Sequence, residues 1–310
     1  MSFRMTISQV EHCPGLYCAR MPPPASPGNC TACPRGWRAI DDLCHKCEES
    51  PSFYDWLYLG FMALLCFSLH CFFIDFTSKR KSFARAILAT HVSAFVECAG
   101  AAIVTVLVAP PRGHLALHSC GVVRLSDWYT LFHNPKPWYA GALGTVHCTN
   151  EAVYPLYTLV FIYNALCLLL LLLLRPAVVR VFSGTQASSS AIYAALYFIP
   201  ILTVIHAVFC GLLYYSFPYI VVVVSVVTIA THFAIQLDQS MQSLLWSCVT
   251  DKRNMAVILG HWLLHAYGII AITELTNPAF HCGLIALVPL PAIFYIVTVN
   301  FTDPEKLLMT

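Results

Sequence analysis

The sequence predicts an all-α polytopic membrane protein, with seven transmembrane helices and a small cysteine-rich luminal module at the N-terminus. The 310 residues are 58% hydrophobic and only 10% charged, whereas average soluble chains carry about 25% charged residues. Long apolar runs such as 168–174 lack the alternation that a membrane β-barrel requires. Six cysteines lie before the first apolar segment, which indicates a small extramembrane module.

The charge balance excludes nucleic acid as a partner. The 17 Lys and Arg residues and 15 Asp and Glu residues leave a net charge of +2, which is too small to neutralise a run of phosphates. The apolar composition also excludes a disordered chain and a coiled coil.

Seven segments have the length of a membrane helix, which needs about 20 mostly apolar residues. They are Trp56–Phe76, Phe83–Val108, Val153–Leu174, Ala191–Tyr215, Tyr219–Ile235, Met255–Ile272 and Leu284–Phe301. Only Ser216, Phe217 and Pro218 separate the fourth segment from the fifth. Because one helix across both would overshoot a bilayer, a tight hairpin is predicted there.

The distribution of Lys and Arg predicts a luminal N-terminus and a cytosolic C-terminus. In this orientation nine basic residues lie on the cytosolic side of the spans, among them Lys79, Arg80, Lys81 and Arg175, and three lie in the opposite loops. Basic residues accumulate in cytosolic loops. The predicted domains are a luminal cysteine-rich tail (1–54), a seven-helix domain (55–301) and a cytosolic tail (302–310). The seven-helix domain includes a luminal loop (109–152) and a cytosolic amphipathic segment (236–250).

The cysteines of the tail predict a disulfide framework, since disulfides persist in oxidising compartments. The six tail cysteines, expected to be oxidised among themselves, are Cys13, Cys18, Cys30, Cys33, Cys44 and Cys47. The last four form two C-x-x-C pairs, so a zinc ribbon is the alternative.

Two further features belong to the luminal side. Cys120 and Cys148 bracket the long loop and are predicted to pair with each other, because a loop of this length normally needs a tie. Asn29 opens the sequon Asn29-Cys30-Thr31, which makes it the predicted glycosylation site.

Ionisable groups inside a membrane span are functional candidates by default. At about 1.5 Å per residue, Glu97 lies roughly 20 Å along its helix and His265 about 15 Å along its own, so both reach the middle of the bilayer. A pair between Glu97 and His265 would satisfy both groups. The alternative is a neutral Glu97 carboxyl, hydrogen-bonded within the bundle in a structural role.

His261 and His265 stand four residues apart on one helix face, which is the spacing of two metal ligands. An intramembrane metal-dependent hydrolase that uses these histidines is therefore the enzyme-class alternative. Possible further ligands are His70, Asp75, His91 and Glu97, but their different depths make a single site hard to assemble. We predict that the protein has no catalytic residue, no bound metal and no cofactor.

The segment QLDQSMQSLLWSCVT has apolar residues at helical spacing. They are Leu237, Met241, Leu244, Leu245, Cys248 and Val249. The pattern predicts a helix that lies among lipid headgroups or docks a partner, with packing beside the fifth span as the alternative. Leu244, Leu245 and Trp246 are the predicted partner-binding residues.

Blocks of sequence from about residue 50 to residue 304 resemble the Jun N-terminal kinase-associated membrane protein family. They are SPSFYDWLYLGFMA, LSDWYTLFHNP, VHCTNEAVYPLYTLVFIY, AIYAALYFIPILTV, GLLYYSFPYI, HWLLHAYGII and ALVPLPAIFYIVTVNFTDP. The tail is similar in its CPGLYC and CPRGWR steps.

This resemblance implies a seven-span adaptor of the endoplasmic reticulum membrane in ER-associated degradation. Its implied partners are ubiquitin ligase and proteasome subunits, and Jun N-terminal kinase in stress signalling. In the family, kinase docking is attributed to the cytosolic C-terminal region. The pattern nearest to a docking motif here is Lys79, Arg80 and Lys81 followed by Phe83, where a polybasic flank that fixes topology and contacts membrane lipid is the better interpretation. We therefore predict a non-enzymatic adaptor.

Overall fold

The computed structural model describes residues 12–23, 29–77, 85–132, 134, 148–183, 189–236 and 238–302. Within these ranges four short strands come first, namely β1 (Cys18–Ala19), β2 (Thr31–Ala32), β3 (Trp37–Ile40) and β4 (Leu43–Lys46). Eight α-helices follow, namely α1 (Phe53–Thr77), α2 (Arg85–Val108), α3 (Leu156–Ser183), α4 (Ser189–Ala234), α5 (Met241–Thr250), α6 (Lys252–Thr273), α7 (Pro278–Ile285) and α8 (Leu290–Thr302). The chain divides into two compact units, Met1–Leu212 and Leu213–Thr310, with the boundary inside α4.

Six stretches of the described residues are long and apolar enough to cross a membrane. They are Phe53–Phe76, Ile87–Val108, Leu156–Val178, Ala194–Ala234, Asn254–Thr273 and Pro278–Val299. The prediction of an all-α polytopic membrane protein with a cysteine-rich N-terminal module is confirmed. The number of separate helical stretches is six rather than seven, because the fourth and fifth predicted spans lie in one helix.

The predicted hairpin at residues 216–218 is wrong. Helix α4 has 46 residues and continues through Pro218, and its apolar stretch of 41 residues is about twice the length that one crossing needs. Proline is tolerated in membrane helices where neighbouring segments compensate for the lost hydrogen bond. In unit 2, Gly268 of α6 lies against this region, since a Cβ there would come within 3.1 Å of the Pro218 carbonyl oxygen. This close approach is possible because residue 268 has no side chain.

Unit 1 is a bundle built on α1, α2, α3 and the first part of α4. Its core contains small and large residues side by side, namely Cys66, Cys98, Ala101, Tyr163, Cys167, Leu171, Ala195, Phe198, Ile199 and Leu202. Small residues let membrane helices approach closely, where van der Waals packing holds them together. The free thiols of Cys66, Cys98 and Cys167 lie in this core.

Unit 2 contains the rest of α4 together with α5, α6, α7 and α8. Its core consists of Ile229, Phe233, Leu244, Ile258, Ala292, Ile296 and Val299. The last predicted span, Leu284–Phe301, begins inside α7 and continues through a non-helical step into α8. This step contains Pro289, and a proline favours a break because it lacks an N–H group.

The N-terminal strands form two small antiparallel pairs, β1 with β2 and β3 with β4. The four disulfides of the described residues join Cys13 to Cys30, Cys33 to Cys44, Cys18 to Cys148 and Cys47 to Cys120. All eight cysteines that the sequence analysis assigned to disulfides are therefore bonded. None of the eight carries a free thiol for the alternative zinc ribbon.

The predicted pair between Cys120 and Cys148 is wrong, as is the closed set within the tail. Each loop cysteine is bonded to a tail cysteine instead. The reason is an antiparallel bridge between Glu49 and Ser119, in which the Ser119 N–H donates to the Glu49 carbonyl at 2.8 Å. This contact brings the chain near Cys47 beside Cys120. Tail and loop thus form one disulfide-linked structure, which we call the head.

Candidate functional site

A buried ion pair joins α2 to α3 inside unit 1. Arg175 donates from Nη2 to Glu97 Oε2 at 2.5 Å and from Nε to Oε1 at 3.2 Å, and both side chains are fully buried. Ser93 donates to the same Oε1 at 2.6 Å. The predicted pair between Glu97 and His265 is therefore wrong, because both carboxyl oxygens of Glu97 bind Arg175 instead.

Arg175 itself was misplaced by the sequence analysis, which assigned it to a cytosolic flank after the third span. Helix α3 continues through Pro176 to Ser183, and the apolar span extends to Val178. The missed signal is the run Pro176-Ala177-Val178-Val179, which keeps the segment apolar beyond the arginine. A lone cation between two apolar runs faces the protein interior when a carboxylate is available there.

Two other polar side chains inside unit 1, those of His206 and Asn164, also have partners. His206 contacts the Tyr58 hydroxyl through Nδ1 at 3.2 Å and the Tyr157 carbonyl through Nε2 at 3.1 Å. Asn164 donates to Thr203 Oγ1 at 3.0 Å. Buried polar groups are costly unless they are hydrogen-bonded, so these contacts have a structural explanation.

The two histidines of the hydrolase alternative lie on α6 in unit 2. His261 Nδ1 lies 3.1 Å from the Thr228 hydroxyl. Across the described ranges, neither His261 nor His265 belongs to a group of three or more side chains with converging candidate metal-ligating atoms. Of the further ligands considered, Glu97 binds Arg175, and Asp75 lies 3.5 Å from His91. The hydrolase hypothesis therefore gains no support.

Asp127 is the centre of the polar contacts that hold the head together. Its carboxylate accepts from Arg38 Nη2 at 2.9 Å and from two backbone N–H groups, those of Val123 and Arg124, at 3.0 Å. The Tyr17 hydroxyl lies 2.9 Å from the other carboxylate oxygen. Burial, reinforced by the Asp127 charge, raises the pKa of Tyr17 to about 12. These contacts tie the tail to the loop independently of the disulfides.

The loop also rests on the helices of unit 1 through a short 3₁₀ helix (Leu125–Trp128). Trp128 packs edge-to-face on Tyr58 of α1, with ring centroids 5.7 Å apart. The backbone N–H of Gly211 in α4 donates to the Tyr129 hydroxyl at 3.2 Å. Residue 211 is thus the point where the loop meets α4.

Helix α5 contains the predicted partner-binding residues. Ser240 caps its N-terminus, since its side chain accepts from the Ser243 N–H at 3.3 Å. Leu244 is 1% exposed in the core of unit 2, whereas Leu245 and Trp246 are 51% and 71% exposed. The prediction that Leu244 binds a partner is wrong, because successive positions of a helix point in different directions and this side chain faces the core. Leu237 lies outside the described residues.

The outward face of α5 carries a stripe of exposed apolar side chains. The α5 stripe consists of Met241, Leu245, Trp246 and Val249, which are 42%, 51%, 71% and 75% exposed. An open groove of about 890 Å³ runs along it and is also lined by Asp238 and Ser240. A helix with one buried face and one exposed apolar face suits binding to a partner or to the membrane surface.

The remaining predicted site residues are exposed, half-buried or outside the described residues. Asn29 is exposed next to the disulfide-bonded Cys30, and its glycosylation stays a prediction. His265 is half-buried on α6. The basic cluster Lys79, Arg80 and Lys81 and the tail after Thr302 lie outside the described residues.

The fold and these sites define a polytopic helical membrane protein whose disulfide-linked head packs on its helices and whose α5 presents an apolar surface. The model of the family described as "JNK1/MAPK8-associated membrane protein" matches residues 13–304. The chain belongs to this family.

Relatives of the same name are similar over nearly the whole chain. The JNK1/MAPK8-associated membrane proteins of Homo sapiens and Mus musculus are each 48% identical over 313 residues, which cover 98% of this chain and 98% of theirs. The homolog of Caenorhabditis elegans is 30% identical over 276 residues, 89% of this chain and 84% of its own. No solved structure gives a significant match.

Proposed function

We propose that this protein is a non-enzymatic adaptor of the endoplasmic reticulum membrane, which recruits ubiquitin ligase and proteasome subunits to misfolded proteins. Association with a Jun N-terminal kinase is part of the proposal, since the human and mouse relatives are named for association with JNK1/MAPK8. The α5 stripe is the observation that supports an adaptor most directly. It offers an aromatic anchor, Trp246, in an exposed apolar surface, and such anchors dominate binding energy at interfaces.

The position of α5 in the chain supports a peripheral role. The apolar stretch of α4 ends at Ala234 and that of α6 begins at Asn254, so α5 lies in the connection between two membrane helices. In the proposed orientation this connection faces the cytosol, where proteasomes and kinases are found. The stripe then provides apolar contact area on an otherwise small cytosolic surface.

The proposed orientation places the tail and the 109–152 loop in the lumen. Their four disulfides favour an oxidising compartment. In this orientation Gly211, which contacts the loop, would lie at the luminal membrane face, and Ser189 to Gly211 at about 1.5 Å per residue spans roughly one bilayer core. We propose seven crossings and a cytosolic C-terminus, which would require α4 to reverse direction between two crossings; its continuous helix does not itself supply such a turn. Protease added to sealed microsomes should spare an N-terminal tag and remove a C-terminal one.

The adaptor proposal is tested by a double substitution on the exposed face of α5. Leu245→Ser with Trp246→Ser removes apolar contact area while leaving Leu244 in the core. We expect co-purification of proteasome subunits and ubiquitin ligase from gently solubilised membranes to fall about tenfold or more, the scale of losing one or two interface anchors. Clearance of a misfolded membrane substrate should slow in parallel.

The matched control is Thr250→Ala, an exposed polar position of the same helix that does not line the groove. It should leave recruitment and expression unchanged. Normal proteasome recruitment by the double variant would show that the α5 stripe is not the binding surface. If removing the whole protein changes neither recruitment nor clearance, the adaptor function is wrong. Retained kinase association in the double variant would assign the kinase to a different surface.

A further inference from the structure

Three thiols from three different helices meet in the core of unit 1. They belong to Cys66 of α1, Cys98 of α2 and Cys167 of α3, and their sulfur atoms all lie within 4.8 Å of one another. All three are free and buried, with exposures of 0%, 5% and 0%. A single cysteine in a membrane helix needs no explanation beyond packing, but three converging sulfurs form a possible ligand set.

The spacing of these sulfurs is close to that of a thiolate metal centre. Metal–sulfur bonds of about 2.3 Å place three ligands of a trigonal centre about 4 Å apart. A separation of up to 4.8 Å therefore requires each sulfur to move inward by well under about 1 Å, which a side-chain rotation supplies. Binding converts thiols to thiolates and releases their protons.

His70 of α1 lies next to Cys98. Whether its imidazole can bind a metal determines if the site has three ligands or four. Its Nδ1 lies 3.3 Å from Arg175 Nη2. Because arginine can only donate, Nδ1 accepts and the proton of the ring is on Nε2. That nitrogen is therefore a donor rather than a metal ligand, and it is buried with no hydrogen-bond partner among the described residues. The ligand set is three sulfurs.

We propose that Cys66, Cys98 and Cys167 bind one Cu(I) ion in a three-coordinate site within the membrane bundle. Thiolates are soft ligands that select Cu(I), whereas structural Zn(II) takes four ligands. The site also has a group that can offset the negative charge of bound thiolates. His70 Nε2 is buried without a hydrogen-bond partner in the described part of the chain on a side chain that lies beside Cys98, and an N–H donor to a charged acceptor forms a strong hydrogen bond.

A cavity between the same helices extends as far as Tyr163, a neighbour of the sulfur cluster. It has a volume of about 220 Å³ and is lined by Trp56, Thr105 and Tyr163, among others. The Tyr163 hydroxyl donates to the Ala63 carbonyl at 3.3 Å and also contacts the Cys167 thiol. Tyr163 thus lies between the cavity and the sulfur cluster.

The test uses the full chain, purified in mild detergent under reducing, oxygen-free conditions. Titration with Cu(I) against a competing chromogenic chelator should give one ion per chain. Cys66→Ala, Cys98→Ala and Cys167→Ala should each weaken retention at least tenfold. Cys71→Ala, which removes another free thiol of α1, and Cys210→Ala, which removes a buried free thiol of α4, should retain the ion.

A second measurement does not depend on variants that might fail to fold. In the wild-type protein, Cu(I) should slow alkylation of the three clustered thiols, and removal of the ion should restore it. X-ray absorption at the copper edge should show three sulfur neighbours. Absence of binding, equal retention by the cluster variants, a nitrogen ligand, or one tightly held Zn(II) that Cu(I) does not displace would each overturn the proposal.

Discussion

Arg175 and Glu97 meet at two points with neither side chain exposed, since Nη2 lies 2.5 Å from Oε2 and Nε lies 3.2 Å from Oε1. The pair connects α3 to α2 at a depth where the surrounding core is apolar. The attraction between the two charges is strong there, but removing them from water is also costly. Removing one of the two side chains should therefore destabilise the fold more than removing both together.

The first prediction concerns this dependence. Glu97→Gln leaves a buried guanidinium without a counter-charge, and Arg175→Met leaves a buried carboxylate. Each single change should lower the free energy of unfolding by about 3–5 kcal/mol, whereas Glu97→Leu combined with Arg175→Met should restore most of it. Thermal unfolding in detergent measures all the variants. Additive losses in the double variant would show that the two side chains act independently.

The second prediction concerns the link between tail and loop. Non-reduced peptide mapping should yield cross-linked peptides that join Cys18 to Cys148 and Cys47 to Cys120. For sequence separations of 130 and 73 residues, chain entropy gives about 4–5 kcal/mol per bond as an upper limit, because the membrane helices already confine the unfolded chain. A peptide that joins Cys120 to Cys148 would contradict the structure.

These two features show where prediction from the sequence stops. The first two spans end at Phe76 and Val108 in both prediction and structure, since a run of about 20 apolar residues is a local property. The partners of Glu97 and Cys120 are set by contacts between segments far apart in the chain, and no local pattern encodes them. Arg175 was misread because a basic residue after an apolar run fits a loop flank as well as an interior ion pair.

The α5 helix was likewise predicted only in part. Its spacing predicted an amphipathic helix, and the structure contains one over Met241–Thr250. The spacing of the apolar residues does not distinguish packing against the protein from binding of a partner. In the structure, α5 has one face that is buried and another that is apolar and exposed. Which leucine points inward depends on the position of Phe233 and Ile258 in the core of unit 2.

The third prediction tests how the loop rests on α4. A Cβ at position 211 would lie 2.8 Å from both Leu125 Cδ1 and Tyr129 Cε2, so Gly211→Ala should displace the loop and cost about 1–3 kcal/mol. Gly260→Ala is the matched control, because nothing lies within 4 Å of that position in α6. The control should be neutral or stabilising, since alanine favours a helix. Equal melting temperatures for the two variants would disprove the contact.

The fourth prediction is a pH dependence of the head. Burial raises the pKa of Tyr17 to about 12, above the value of about 10 for an unfolded chain. The neutral hydroxyl therefore contributes stability that is fully present below pH 10 or so and is lost as the pH rises towards 12. Limited proteolysis of the head across this range should show the loss.

Tyr17→Phe separates this titration from other effects of alkaline pH. The variant should be slightly less stable at neutral pH, by about 1 kcal/mol for the lost hydrogen bonds, and should lack the Tyr17 component of the alkaline transition. The difference in phenolate absorbance between wild type and variant gives the pKa directly. A difference spectrum that titrates near pH 10 would show that Tyr17 is not buried against Asp127.

The fifth prediction separates the two faces of α5. Leu244 and Leu245 are the same residue type at adjacent positions, with exposures of 1% and 51%. Leu244→Ala should destabilise unit 2 by about 2–5 kcal/mol through loss of buried contacts and a residual cavity, whereas Leu245→Ala should cost about 0.5 kcal/mol or less, as for most surface changes.

Cys248 supplies a local probe of this difference, because it packs against the same core and burial raises the pKa of its thiol. Its alkylation should accelerate in Leu244→Ala and stay at the wild-type rate in Leu245→Ala. If both variants accelerate it equally, Leu245 also supports the fold, and lost recruitment in the Leu245→Ser and Trp246→Ser variant would then reflect unfolding rather than a missing binding surface.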